Sequence, residues 1–155
     1  MPTFERSPKG VRVKLEEHEV GLLRQLLEEM STLLEADIAA DPVNKRLFPD
    51  AYDTEEDSQS YRELVGYELR STKLAAVKDM LDTIDGDGPA DTEISQDVAE
   101  SWLAVLNDIR LAIGTRNEVT EEKMAEEPDP QDPDSAAMMV LHWLGWLQES
   151  LLGVL

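Results

Sequence analysis

The sequence predicts a mainly α-helical protein: a single-domain bundle of about four to five helices with a short N-terminal β-hairpin. Apolar residues recur at spacings of three and four through most of the chain, which is the mark of amphipathic helices. The N-terminal segment instead alternates with period two. The chain has 155 residues, the length of one domain, and at that size roughly 70% of the unfolded surface can be buried without metal or disulfide.

Residues 1–15 form the hairpin. Val11, Val13 and Leu15 alternate with Arg12 and Lys14 behind a Ser7-Pro8-Lys9-Gly10 turn, so one face is apolar and must lie against another element. A first helix is predicted over 17–40, with Val20, Leu23, Leu27, Met30, Leu34 and Ile38 on one stripe. Asp41-Pro42 ends it, because a residue before proline is pushed out of helical geometry. The chain then turns through Arg46-Leu47-Phe48-Pro49-Asp50-Ala51-Tyr52.

A second helix spans 55–84, with Tyr61, Val65, Leu69, Ala76 and Met80 in line and Gly66 placed to bend or divide it. Residues 85–89, Asp-Gly-Asp-Gly-Pro, end it in an acidic turn. A calcium loop fails on spacing: with Glu93 at the twelfth position, Ile84 and Gly86 fall third and fifth, where oxygen ligands are needed. Ser95 is a suitable N-cap for a third helix over 95–113, which Gly114 is placed to close. Its apolar residues surround most of the circumference, which makes it the central helix. Residues 118–134 hold eight acids, one base and three prolines, an acidic connector. The last helix covers 135–153.

Charge and composition limit the function. There are 34 acids against 14 bases, a net charge of −20, and 41% of residues are hydrophobic, too many for a disordered acidic tail. The absence of cysteine excludes disulfides, thiolate metal sites, a cysteine nucleophile and a thiol switch within the chain. The first 14 residues carry Arg6, Lys9, Arg12 and Lys14 against Glu5 alone. An acidic body repels phosphate polymers, which disfavours direct DNA binding and confines any such contact to this basic arm. The N terminus has no apolar stretch of the secretory type, so a cytoplasmic protein is expected. The most apolar window, 138–147, is about half a membrane span and reads as a core helix.

No residue receives a catalytic or metal-binding role, and no cofactor is expected. His18 and His142 lack the second histidine that a helical zinc site needs. The informative group is Asn107, Asp108 and Arg110. Taking Trp102 as zero, Arg110 falls at about 80°, inside the apolar arc between Leu106 and Leu103, and Asp108 at about 240°. A guanidinium there needs a partner, and the expectation is an inter-helix salt bridge to Glu68 or Asp79. Met138, Met139, Trp143 and Trp146 on the last helix read first as core, with an oligomer surface for a homodimer as the competing role.

Three segments together carry a resemblance: 46–52 (RLFPDAY), 102–116 (WLAVLNDIRLAIGTR) and 143–151 (WLGWLQESL). They resemble an actinobacterial family long catalogued as a domain of unknown function, whose best-described branch is the AosR-type oxidative-stress transcriptional regulators. The resemblance implies an intracellular helical protein without known enzymatic activity. For that branch it implies a role in transcription tied to a cysteine pair, which this chain lacks. The expectation is therefore a non-enzymatic regulator that acts by contact with the transcription apparatus. Family genes also lie near that of a Clp protease adaptor, so the alternative is an acidic accessory protein of Clp-type proteolysis. Arg46, Phe48, Asp50 and Tyr52, with Asn107, Asp108, Arg110 and Arg116, are the residues expected to serve a structural network or partner recognition.

Overall fold

A computed structural model describes residues 3–35, 59–86, 88–116 and 135–155, with the side chains of 59–67 excepted. Strand β1 (Phe4–Ser7) turns into β2 (Gly10–Leu15), and Phe4 stands opposite Val13. Gly10 is required at this turn. Its φ is +144°, and a Cβ there would run into the Ile94 carbonyl oxygen and come within 2.9 Å of the Gln96 nitrogen.

The apolar face of the hairpin is completed by a third strand, in a stretch to which the sequence pattern assigns no element. Strand β3 (Ala90–Ile94) pairs antiparallel with β2, Val11 opposite Ile94 and Leu15 opposite Ala90, in the order β1-β2-β3. Only Thr92 and Ile94 of its five residues favour a strand, and the segment follows a Gly-Pro turn, so propensity is weak. The signal that could have found it is Asp91 and Glu93 alternating with Ala90, Thr92 and Ile94.

Helix α1 (Glu17–Glu35) starts with the Glu16 N–H donating to Glu19 Oε1 at 3.0 Å, half of a capping box. Its predicted stripe is buried from Val20 to Leu34. Residues 36–40 lie outside the described residues, as do 55–58 ahead of α2 (Gln59–Thr83), which runs without a break through Gly66. Val77, Met80 and Ile84 are buried. Arg24, early in α1, donates to the carbonyls of Ile84 at 2.7 Å and Gly86 at 2.6 Å, so α1 and α2 are antiparallel and the end of α2 is tied down.

Ser95 caps α3 (Gln96–Arg116) as expected, accepting from the Val98 N–H at 3.2 Å. Gly114 does not close it. The helix continues through Arg116, because a lone glycine weakens a helix by only about 1 kcal/mol and does not by itself break one. Helix α4 (Ser135–Leu152) returns antiparallel to α3, and Leu144, Leu147 and Leu151 enter the core. The sheet closes one end of the bundle: Phe4, Val11, Val13, Leu15 and Ile94 join one buried cluster with the helices. Phe4 meets Trp102 edge to face at 6.0 Å.

Candidate functional site

The polar chemistry of the described residues concentrates on α3, where the buried Asp108 and the half-buried Arg110 face opposite neighbours. Asp108 is 8% exposed. Both of its carboxylate oxygens accept from Lys73 Nζ of α2, at 3.0 and 2.8 Å. Burial pushes the Asp108 carboxyl above its ordinary value, because the charged form loses water; the hydrogen bond and charge of Lys73 oppose this without cancelling it.

Arg110 points the other way and does not make the salt bridge expected for it; Glu68 and Asp79 are both exposed on α2. Its Nη1 donates to Gln148 Oε1 of α4 at 2.6 Å, and Gln148 Nε2 donates to the Leu103 carbonyl at 3.4 Å. The guanidinium lies flat over Gly145, 3.5 Å from where a Cβ would stand, and its Nε is buried without a hydrogen-bond partner among the described residues. The helical wheel placed the two groups correctly, roughly 160° apart by the 100° rule. The error lay in which neighbour covers which side. Helix α2 packs on the Asp108 face, so the inter-helix ion pair exists but draws its acid from α3 and its base from α2.

The other candidates separate. Asn107 and Arg116 are exposed, and Arg116 stands in the last turn of α3, where a cation meets the negative end of the helix dipole. Arg116 also borders a small depression of about 160 Å³ between α1 and α3, floored by Met30, Leu33 and Ile109. Arg46, Phe48, Asp50 and Tyr52 lie outside the described residues. On α4, Met138 is buried and Trp143 half-buried, whereas Met139 is 62% and Trp146 50% exposed. The core reading therefore holds for Met138 and not for Met139 or Trp146. His18 and His142 are exposed, and no cluster of metal-ligating side chains forms among the described residues.

The basic arm is largely neutralised within the sheet. Arg12 pairs with Asp91 at 2.7 Å and approaches Glu93 at 4.0 Å, while Lys14 lies 3.9 Å from Glu5. Arg6 donates from Nε to the Val154 carbonyl at 3.2 Å. Counting β3, the sheet sets its four bases against three acids, Glu5, Asp91 and Glu93. Asp91 and Glu93 come beside the arm only through the pairing of β3, which is why the sequence alone showed an unopposed cationic segment.

Among the described residues, these features define four helices closed by a small sheet, with polar groups on α3 bonded to the helices on either side and an apolar helix face turned to solvent. The chain belongs to the family described as a domain of unknown function, DUF2017, whose model matches residues 1–155. Among its relatives, the oxidative stress regulator AosR of Mycobacterium tuberculosis is 30% identical over an alignment that covers 93% of this chain and 81% of that protein, as is AosR of Mycobacterium bovis. The putative oxidative stress regulator AosR of Mycobacterium leprae is also 30% identical, over 97% of this chain and 82% of that protein. No solved structure matches the chain. No described helix is long and apolar enough to cross a membrane.

Proposed function

We infer that the chain is a non-enzymatic regulatory protein that acts through contact with other proteins, the transcription apparatus first among them. The observation that carries this reading is its similarity, over nearly its whole length, to proteins named oxidative stress regulators. Two features of the chain shape the mechanism. With no cysteine, its response does not pass through a thiol switch of its own. With a net charge of −20 and a sheet in which Arg12 and Lys14 stand beside acids, it reaches a promoter through a protein rather than through the DNA backbone.

The test is affinity capture of the tagged chain from nuclease-treated lysate of its own source organism, at low and moderate salt, with mass spectrometry of the retained proteins. RNA polymerase or sigma-factor subunits are the expected result. Retention of Clp components in their place overturns the reading in favour of an adaptor of proteolysis, and loss of every partner on nuclease treatment overturns contact through protein.

A further inference from the structure

The chain has no cysteine, so its sulfur is confined to six methionines. Met1 and Met124 lie outside the described residues. Of the other four, Met30 and Met138 are 3% exposed, Met80 is fully buried and Met139 is 62% exposed. Met138 and Met139 are consecutive on α4, so the same thioether stands once in the interior and once in solvent within one helical turn. We propose that Met139 is an oxidation site, the place where a two-electron oxidant of the peroxide class acts on the folded chain.

Exposure sets the selectivity. An oxidant must reach the sulfur itself, so an exposed thioether reacts ahead of three that are closed off by packing. The step balances without a cofactor. A sulfur lone pair attacks one oxygen of hydrogen peroxide, the S–O bond forms as the O–O bond breaks, and the proton of the transferred oxygen passes to the departing hydroxide, which leaves as water. Sulfur gives up two electrons and the peroxide takes them.

The surroundings set the consequence. The helical neighbours of Met139, three and four residues away, are Ser135, Ala136, His142 and Trp143, with no acid, Lys or Arg among them. Trp146, 50% exposed, lies within about 20° of Met139 by the 100° rule. A sulfoxide is polar and chiral where the thioether was flexible and apolar. Oxidation at 139 therefore makes an apolar stretch of surface polar and leaves the interior intact, whereas the same change at Met138 would put that dipole in the interior.

The purpose of such a site rests on the regulatory reading, since the relatives are named oxidative stress regulators and this chain has no thiol to oxidise. The site itself is tested on the purified chain, and that test fails or succeeds independently of partner capture.

The test is treatment of the full chain with millimolar hydrogen peroxide, with peptide mapping by mass spectrometry to follow each methionine. Met139 should gain one oxygen roughly ten-fold or more faster than Met30, Met80 and Met138, and in urea the four rates should converge. The chain oxidised at 139 keeps the parent melting curve and elutes earlier in hydrophobic-interaction chromatography. Methionine sulfoxide reductases of both epimer specificities together restore the original elution. Met139→Leu, close in volume and equally suited to a helix, folds like the parent and loses the elution change. Oxidation of Met139 no faster than of Met138 overturns the proposal, as does a rate difference that survives in urea or an elution change that persists in Met139→Leu. Any of these leaves the regulatory reading standing, while capture of Clp components overturns that reading and leaves the oxidation site.

Discussion

Replacing Lys73 by Met isolates the Asp108 carboxylate in the α2–α3 seam, and its cost follows from what remains there. The two side chains are 20% and 12% exposed, so neither is well solvated and the pair is not a surface ion pair. Removing one partner of such a pair costs about 3 to 5 kcal/mol, because the other is left buried and uncompensated. The residual exposure of Asp108 and its capacity to take up a proton put this case near 3 kcal/mol, which for a domain of this size lowers Tm by roughly 6 to 12 °C. Asp108→Asn strands a lysine whose long stem can carry the ammonium toward water, so about 1 to 2 kcal/mol is expected. The double change Lys73→Met with Asp108→Leu removes both charges and should recover most of the loss.

Urea unfolding at pH 7 of the parent, Lys73→Met, Asp108→Leu and the double variant that combines these two changes completes a double-mutant cycle. Equal losses in Lys73→Met and in the double variant would refute the reasoning, since the destabilisation would then come from packing and not from a stranded charge. The pH dependence has a definite sign. Asp108 has a folded pKa raised above its model value of 3.8, so the folded state holds the proton more tightly than the unfolded one. Its stabilising contribution is complete below that value and is lost as pH rises through the folded pKa. The stability difference between the parent and Asp108→Asn therefore shifts in favour of Asn as pH rises from about 4.

Two further substitutions probe contacts the structure sets. Gly10→Ala forces a side chain into positive φ and against the Ile94 carbonyl, and thermal melting should show a loss of about 2 kcal/mol or more. Arg110→Ala strands no carboxylate, only the amide of Gln148, so chemical denaturation should register about 1 to 3 kcal/mol, chiefly packing and one charged hydrogen bond. A loss of 5 kcal/mol would point to an acid partner after all.

The helices were legible because each is long and strongly periodic, so that Val20, Leu23, Leu27, Met30 and Leu34 announced both α1 and its buried stripe. Ser95 was legible because a cap is a local device. Strand β3 was not, since what stabilises it is the partner strand β2, 75 to 83 residues earlier, and its own composition gives only a weak strand signal. The ion pair was legible by half. One helix's wheel says which way Arg110 and Asp108 point, but not which neighbour stands there. That information is carried by packing among several helices. Trp146 and Met139 show the same limit, because a helix that is apolar nearly all round does not reveal which side its neighbours cover.

The sheet leads to a last prediction, on DNA. The sequence showed four bases against one acid in the first 14 residues; pairing with β3 adds Asp91 and Glu93 and ties Arg12 to both. Each base that displaces a counterion contributes about 0.9 to the slope of log affinity against log salt, so the four bases cannot give a slope steeper than about −4 even if all were free. Fluorescence anisotropy with a labelled duplex should show no binding by the parent at physiological salt. Asp91→Asn with Glu93→Gln releases Arg12 and should bring weak binding into range only at low salt, with a slope no steeper than that limit. A parent protein that binds with a slope near −6 would place the contact outside the arm, on a body whose 33 acids and 10 bases argue against it. That result would remove the electrostatic ground for routing regulation through a protein partner.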